Sequence, residues 1–232
     1  MNSTPLLKRT GDELWVVETP LRFLGMQLGR RMALIRLPGG ELFVHSPAEL
    51  TPSLRLELDA VGRVHYVVPA SALHGHLFME QYRAVYPDAL LFAAPGLARR
   101  RRDLSFDADL GDAPDPRWAG EIDQAIFRFG AGRIGTDVLF FHRRSRTLLV
   151  GDAVWNVTPA MSPAARLWAG WRPGVRPTPA FRLAIRDREA ARACLERVRG
   201  WDIERILIGH GEVVERDGRA ALRHAYAWML GR

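Results

Sequence analysis

The amino-acid sequence predicts an α/β fold, a four-layer αββα sandwich in which two β-sheets lie between layers of helices. Apolar runs on both sides of a Pro-Gly-Gly turn at 38–40 indicate a β-hairpin, and three more strands follow one another between 121 and 150. Helical patterns separate the other apolar runs, which is typical of strand–helix–strand crossovers. Hairpins mixed with crossovers predict two sheets covered by helices.

Strands and helices alternate through the first half of the chain. Thr51 and Pro52 indicate the start of a helix, because threonine caps a helix N-terminus and proline suits the first turn. Gly62 ends this helix. The predicted elements are strands at 13–18, 31–37 and 41–45, a helix at 51–62, a strand at 64–68, a helix at 77–86 and a strand at 89–93.

The second half begins with a polar stretch and then becomes rich in strands. Residues 157–179 contain many Trp, Pro and Gly residues, so they form either a lid over a site or an irregularly packed surface. Asp187 is placed to cap the helix that follows. The predicted elements are a loop or small insertion at 99–120, strands at 121–129, 137–142 and 147–150, a helix at 187–200, a strand at 205–208 and a closing helix at 218–230.

Length and composition favour a single domain over residues 1–232, with a short N-terminal extension at about 1–12. The chain has 232 residues, 47% of them hydrophobic, and no linker divides it. The single cysteine, Cys194, excludes an intramolecular disulfide and suits a small buried group on a helix. No apolar stretch reaches about 18 residues and the N-terminus lacks a signal-peptide core, so we expect a cytoplasmic protein with no membrane partner.

Arginine supplies nearly all of the positive charge, because the net charge is +7 and Lys8 is the only lysine. This bias indicates either phosphate recognition by guanidinium groups or the base composition of the genome. The densest cluster, at 99–102, lies close to several aspartates and has no interleaved aromatic residues of the kind that stack on nucleobases. Nucleic-acid binding is therefore disfavoured.

Two apolar segments each end at a side chain that is able to bind a metal ion. Residues 147–152 read Thr-Leu-Leu-Val-Gly-Asp and end at Asp152, whereas 205–211 read Arg-Ile-Leu-Ile-Gly-His-Gly and place His210 between two glycines. Each segment is typical of a buried strand, and the neighbouring glycine permits a sharp turn. Charged groups beside a buried strand need partners, so Asp152 and His210 predict either a metal site or an ion pair between the two.

The order of these elements, with Asp152 after a strand meander and 209–211 before the last helix, resembles that of the metallo-β-lactamase-like superfamily. The resemblance extends over about 31–230. Three segments are more narrowly similar to the domain of unknown function 4336 family. They are Leu-Pro-Gly-Gly-Glu-Leu-Phe-Val-His-Ser-Pro at 37–47, Val-Val-Pro-Ala-Ser-Ala-Leu-His-Gly-His-Leu-Phe at 67–78, and Phe-His-Arg-Arg-Ser-Arg-Thr-Leu at 141–148.

The resemblance implies a metal site that includes Asp152 and His210. In the superfamily an aspartate after a glycine bridges two metals, and a histidine in a late Gly-His element ligates one of them. The middle metal motif of the superfamily, Gly-His-Thr, aligns near 135–137, where this chain reads Gly-Thr-Asp and lacks the histidine.

The first metal motif of the superfamily, Thr-His-x-His-x-Asp-His, is largely lost in this chain. Its first two histidine slots fall on Ala70 and Ala72. Its aspartate slot falls on His74, and its last histidine slot falls on Gly75. The candidate ligands that remain are His74, His76, Asp152 and His210. This set suits one divalent ion, which would be zinc, iron or manganese.

Four further histidines lie outside the candidate set. His45 ends a strand, where its ring either lines the pocket or forms a structural hydrogen bond. The two-residue period of a strand places His142 on the face opposite Asp137, which favours a structural role for His142. His65 and His224 are interpreted as surface or packing residues.

Two functions fit these features. The first is a metal-dependent hydrolase with Asp152 and His210 as catalytic residues, an ion held by His74 and His210, and His76 as a weaker ligand. Arginines at the mouth of the site would attract a small anionic ester, thioester or phosphodiester substrate. The alternative is a non-catalytic member of the fold that binds a ligand or a protein, which the loss of the three imidazoles that bind the first zinc in the superfamily favours.

Overall fold

The structure, a computed structural model, describes residues 6–23, 26–130 and 135–230. In chain order the strands are β1 (Lys8–Gly11), β2 (Leu14–Thr19), β3 (Arg22–Phe23), β4 (Met26–Gln27), β5 (Arg30–Arg36), β6 (Glu41–His45), β7 (Arg63–Val68), β8 (Leu90–Ala93), β9 (Ala108–Asp109), β10 (Ile122–Arg128), β11 (Thr136–His142), β12 (Thr147–Val150), β13 (Trp155–Val157), β14 (Gly174–Arg176) and β15 (Arg205–Ile208). The helices are α1 (Pro52–Val61), α2 (Met79–Val85), α3 (Leu97–Arg100), α4 (Pro163–Trp168), α5 (Pro179–Ala184), α6 (Arg188–Arg199), α7 (Gly218–Ala225) and α8 (Ala227–Leu230).

Two sheets form the framework of the molecule. The larger has seven strands in the order β1-β2-β5-β6-β7-β8-β9, and the smaller has four in the order β10-β11-β12-β15. Strands β1, β2, β5 and β6 pair antiparallel, whereas β6 to β9 run parallel. In the smaller sheet β10, β11 and β12 form an antiparallel meander, and β15 joins β12 in parallel. The three consecutive strands predicted between 121 and 150 are therefore confirmed.

The four predicted layers are present. Successive residues of β11 face opposite sides of the smaller sheet, because side chains alternate along a strand. Val138 and Phe140 join the core between the two sheets, while Leu139 and Phe141 join a second core under α6, α7 and α8. Helix α1 packs on β7 of the larger sheet. The order is thus helix, sheet, sheet, helix.

The predicted helix caps are also present. The Thr51 hydroxyl oxygen accepts a hydrogen bond from the Leu54 N–H at 3.2 Å, which satisfies a donor that the helix itself leaves unpaired. Leu54 and Leu58 bury the apolar face of α1. The Asp187 carboxylate caps α6 in the same way.

The structure refines two predictions about the ends of the chain. Strand β1 lies within the stretch predicted as a short extension at 1–12, and it pairs with β2 at the edge of the larger sheet. The predicted closing helix consists of two helices, because helical geometry is interrupted at Tyr226, between α7 and α8. Tyr226 is fully buried there, and its hydroxyl donates a hydrogen bond to the Ala153 carbonyl. The single-domain organisation stays a prediction.

The polar stretch at 99–120 contributes to the core in spite of its composition. It contains strand β9 and the buried Trp118. The Trp118 ring lies 5.1 Å from that of Phe43 and 4.8 Å from that of Phe92, both in edge-to-face geometry. Such contacts stabilise beyond the burial of area alone, so this segment is part of the packed structure.

None of the helices in the described residues is long and apolar enough to cross a bilayer. Cys194 is buried on α6, as predicted. The cytoplasmic location expected from the sequence stays a prediction.

Candidate metal centre

Three side chains meet at one edge of the two sheets. One ligand atom from each of His74, Asp152 and His210 lies within 4.8 Å of the others. The shortest contact joins His74 Nε2 to Asp152 Oδ2 at 2.7 Å. Asp152 and His210 come together because β12 and β15 are parallel neighbours, so the residues that follow both strands emerge at the same edge. His74 arrives from the turn that follows β7.

The turn that carries His74 is held by short-range contacts. The Ser71 hydroxyl oxygen accepts hydrogen bonds from the backbone N–H groups of Leu73 and His74, at 3.0 and 2.9 Å. Gly75 follows with a φ of +76°, and a Cβ at this position would lie 2.4 Å from the Ser46 hydroxyl oxygen. A residue with a side chain would be both strained and obstructed there, so Gly75 fixes the path of the chain beside His74.

The turn that carries Asp152 is held by a second aspartate. The Asp137 carboxylate, at the start of β11, accepts hydrogen bonds from the backbone N–H groups of Gly151, Asp152 and Ala153 at 3.2, 2.9 and 2.7 Å. A Cβ on Gly151 would lie 2.7 Å from Asp137 Oδ1, so only glycine permits this close approach. Asp137 therefore sets the position of the backbone from which the Asp152 side chain extends.

Asp137 holds the turn that carries Asp152, a contact that was not predicted from the sequence. It is 1% exposed, and burial together with the charge of Asp152 raises its pKa to about 7 in spite of its three hydrogen bonds. The signal for it is an aspartate in β11, a strand whose residues are all buried. A carboxylate in such a strand needs several donors, which the turn after β12 supplies.

The hydrogen bonds of His210 determine which ring nitrogen is available to a metal ion. His210 Nδ1 lies 2.8 Å from the Gly29 carbonyl oxygen. Because a carbonyl oxygen only accepts, Nδ1 carries the hydrogen in this contact and Nε2 keeps its lone pair in the neutral ring. Burial lowers the pKa of His210, which favours that neutral form. A second partner that orients the ring in this way is typical of histidine ligands.

His74 and Asp152 form a charge-assisted pair. Burial alone would lower the pKa of His74, but the hydrogen bond to Asp152 and its charge raise the pKa overall. Burial alone would raise the pKa of Asp152, but the hydrogen bond from His74 and the charge of His74 lower it. The ion pair considered between Asp152 and His210 is thus replaced by one between Asp152 and His74, while the His210 ring lies 5.4 Å from that of His74.

The structure does not bring His76 into this cluster. Its Nδ1 lies 3.5 Å from Arg101 Nη1, and its backbone carbonyl accepts a hydrogen bond from the same guanidinium group at 2.9 Å. The group of possible metal ligands in the described residues contains His74, Asp152 and His210 without His76. Ala70 and Ala72, the first two histidine slots of the superfamily motif, are both buried.

The remaining histidines are outside the cluster as well. His45 is buried against Phe140, with ring centres 5.5 Å apart, and burial lowers its pKa to about 3. Its Nε2 has no hydrogen-bond partner among the described residues, so His45 makes no structural hydrogen bond through that atom. His142 Nδ1 lies 2.8 Å from the Ser145 hydroxyl oxygen, and the structural role of His142 stays a prediction.

Two cavities meet at the cluster. One, of about 320 Å³, is lined mainly by apolar side chains, including Trp168 from the Trp-rich stretch. The other, of about 210 Å³, is lined by Arg30 and His76 among others. His74 and His210 line both cavities. The Trp-rich stretch is therefore part of the site wall.

The donor set fits a divalent cation. A carboxylate oxygen and two imidazole nitrogens are the ligands that zinc, iron and manganese share. The hydrogen bond from His210 Nδ1 to the Gly29 carbonyl leaves the lone pair of Nε2 free for a metal ion. The negative charge of Asp152 offsets the cost of placing a cation there. With three protein donors, such a site leaves further positions for water or substrate.

Solved structures of one fold class are similar to this chain over nearly all of its length. The metallo-β-lactamase from Pontibacter korlensis is 12% identical, has a TM-score of 0.63, and aligns over 97% of this chain and 99% of its own. The metallo-β-lactamase FIM-1 from Pseudomonas aeruginosa in the mono-zinc form is 10% identical, with a TM-score of 0.64 and coverage of 97% and 96%. The metal-soaked Flv1 flavodiiron core from Synechocystis sp. PCC6803 is 13% identical, with a TM-score of 0.62 and coverage of 97% and 60%.

These similarities define the class of protein: the chain has the metallo-β-lactamase fold. The model of the family described as domain of unknown function (DUF4336) matches residues 11–169, which is more than half of the chain. The protein belongs to that family. The matched region contains His74 and Asp152, while His210 lies beyond it. No curated protein sequence matches the chain. The fold and the family predicted from the sequence are both confirmed.

Proposed function

We propose that this protein is a metal-dependent hydrolase in which His74, Asp152 and His210 hold a single divalent cation. The observation that carries the proposal is the convergence of these three donors, with His210 held by Gly29 so that its Nε2 is free to bind. The substrate class is a small anionic ester, thioester or phosphodiester.

The chain's own residues divide the work of such a reaction. When bound, a divalent cation at this site would lower the pKa of a water molecule and polarise the bond under attack. Asp152 orients the attacking water through its carboxylate and neutralises part of the local positive charge. His210 is held in one tautomer by Gly29. His74 presents Nε2 to the cluster beside the Asp152 carboxylate, and this nitrogen would bind the cation once its proton is lost.

Positive charge beside the cluster favours an anionic substrate. Arg30 lines the smaller cavity together with His74 and His210. The protein as a whole carries a net charge of +7, which raises the local concentration of anions. These features support an anionic group on the substrate.

Metal analysis tests the proposal. Protein purified without chelators is expected to contain, or to take up from added zinc, manganese or iron, about one ion per chain, as three donors and open positions predict. The analysis uses elemental measurement after removal of free metal. A content that stays below roughly a tenth of an ion per chain after all three additions would contradict the proposal, since a built site is expected to fill.

The second candidate function is that of a non-catalytic binding protein of the same fold. The burial of Ala70 and Ala72 at two histidine slots of the superfamily motif favours it. An ion bound at full occupancy without hydrolysis of any ester, thioester or phosphodiester in a broad panel would support this candidate over the first.

Metal uptake is expected to depend on pH through His74. A protonated imidazole cannot bind a cation, and the pKa of His74 is raised above its usual 6.5. The apparent affinity for zinc should therefore fall roughly tenfold for each pH unit below the His74 pKa, and level off above it. Zinc titrations between about pH 5.5 and 8.5 measure this. An affinity that is constant down to the lower limit would exclude His74 as a ligand.

A further inference from the structure

The larger of the two cavities at the cluster is shaped by apolar side chains. Its volume is about 320 Å³, and its walls include Leu21, Leu28, Leu73, Phe129, Trp155 and Phe181. Among the described residues that line it outside the cluster, the polar groups are the Thr178 hydroxyl and the indole N–H groups of Trp155 and Trp168. Its volume falls within the range of cavities that bind small molecules.

Such a wall discriminates between the substrate classes that the proposed function leaves open. A sugar or a phosphodiester would lose its hydrogen bonds to water here and regain few of them, which disfavours binding. An alkyl chain loses none, and each methylene group that leaves water contributes roughly a fourfold gain in affinity. The cavity is therefore suited to an apolar chain that ends at the cluster.

The smaller cavity, on the other side of the cluster, contains the positively charged side chain of Arg30. Arg30 is half-buried, and its guanidinium lies 4.8 Å from the centre of the Phe78 ring. Its Nε donates a hydrogen bond to the Thr19 hydroxyl oxygen at 3.3 Å. Within the part of the chain that the structure describes, Arg30 forms no ion pair, in contrast to the neighbouring Arg31, which pairs with Glu18 at 2.6 Å. A half-buried guanidinium with free donors is a ready site for a carboxylate or a phosphate.

The two cavities share their boundary. Leu21, Leu73, His74 and His210 line both of them, so a ligand that occupies both places its middle at the cluster. This arrangement fits a molecule with an apolar end, a reactive centre and an anionic end in that order.

We propose that the substrate is an acyl ester or thioester whose medium-length alkyl chain fills the apolar cavity and whose alcohol or thiol half carries an anionic group that faces Arg30. This rests on the proposed function. In the reaction, the oxygen of water forms a bond to the acyl carbon while the carbon–oxygen or carbon–sulfur bond breaks. The proton of that water passes to the departing alkoxide or thiolate, and the products are a carboxylic acid and an alcohol or thiol.

The binding of carboxylates of increasing length to the metal-free protein tests whether the apolar cavity holds an alkyl chain, and the test does not depend on enzymatic activity. Butanoate, hexanoate, octanoate and decanoate are titrated, and the fluorescence of Trp155 and Trp168, which line the cavity, reports binding. We expect the affinity to rise roughly fourfold for each added methylene group until the cavity is full. An affinity that does not depend on chain length would overturn the proposal.

Two substitutions fill the cavity and one is a matched control. Ala184→Trp and Ala180→Phe add bulk at positions that line the cavity, so each should end the rise in affinity at a shorter chain. Ala164→Trp adds the same bulk on an exposed face of α4 and should leave the series unchanged. Because Ala180 is exposed at its edge, Ala180→Phe remains informative if Ala184→Trp fails to fold. If neither substitution changes the affinities of the carboxylate series, the alkyl chain binds elsewhere and the proposal is overturned.

Arg30 is tested with a charged and a neutral ligand of one length. N-octanoylglycine, which carries its carboxylate beyond the carbonyl group, should bind the wild-type protein more tightly than its neutral amide, N-octanoylglycinamide, and Arg30→Gln should remove most of that difference while leaving the binding of the amide unchanged. Equal loss for both ligands would contradict recognition of the anion by Arg30. Since all of these titrations use metal-free protein, their failure leaves the metal analysis standing, and a failed metal analysis leaves them standing.

Discussion

Asp152→Asn is expected to abolish binding of the divalent cation while the protein remains folded. The amide that replaces the carboxylate has nearly the same shape but no charge, so the cation would meet two neutral imidazoles without a compensating anion. Because the substitution also removes the charge that raises the pKa of His74, zinc binding is compared above about pH 8, where His74 is neutral in both proteins. The affinity for zinc should fall by at least two orders of magnitude, more than the loss that is typical when a partner behind a ligand is removed.

The effect of Asp152→Asn is measured through stability as well as through metal content. Zinc at about 100 times its dissociation constant should raise the free energy of unfolding of the wild-type protein by about 2.7 kcal/mol, because the ion binds the folded state alone. The variant should show no such increase under the same conditions. Asp109→Asn, an exposed aspartate on β9 outside the cluster, is the matched control and should respond like the wild type. A variant at Asp152 that zinc stabilises fully would locate the ion elsewhere.

The sequence predicts Asp152 and His210 because their geometry depends on local patterns. Each follows a short apolar strand and a glycine, and the pairing of β12 with β15 brings the two strand ends together. No local pattern predicts His74, which lies in the turn after a strand of the larger sheet. Only the resemblance to a family motif indicated it as a ligand. The donor distances then depend on how the two sheets pack, which no local feature encodes.

His76 and the apolar cavity show where sequence reasoning ends. Spacing alone left the position of His76 undetermined; in the structure Gly75 has a left-handed backbone, and the carbonyl of His76 accepts a hydrogen bond from Arg101. The cavity draws on the segment before β5, the turn after β7, β13, and helices α4 and α5, which are far apart in the chain. The Trp-rich stretch predicted either a lid or an irregular surface, and tertiary packing makes part of it a cavity wall.

Asp137→Ala is expected to destabilise the protein strongly. The substitution leaves the backbone N–H groups of Gly151, Asp152 and Ala153 without their acceptor. Each buried donor left unpaired costs about 1–3 kcal/mol, so the free energy of unfolding should fall by about 3 kcal/mol or more. Urea denaturation measures this. Thr136→Val, the neighbouring buried residue whose hydroxyl has no hydrogen-bond partner among the described residues, is the matched control and should change stability little.

A second variant, Asp137→Asn, separates a positioning role from a purely structural one. Asp137 holds the turn that carries Asp152, so zinc affinity should fall in Asp137→Asn even where that variant is folded, because an amide nitrogen would face one of the three donors. Retained zinc affinity in a folded Asp137→Asn protein would show that the turn keeps its shape without the carboxylate.

The pH dependence of stability gives an independent check on Asp137. Its pKa is raised to about 7 in the folded protein by burial and by the charge of Asp152, against about 3.9 for an unfolded aspartate. The folded state thus binds more protons than the unfolded state between these values, and stability from this group is present at low pH and lost as pH rises toward 7. Metal-free wild type should therefore lose stability relative to Asp137→Ala over about pH 4 to 7. A difference between the two proteins that stays constant with pH would show that Asp137 is already ionised at low pH.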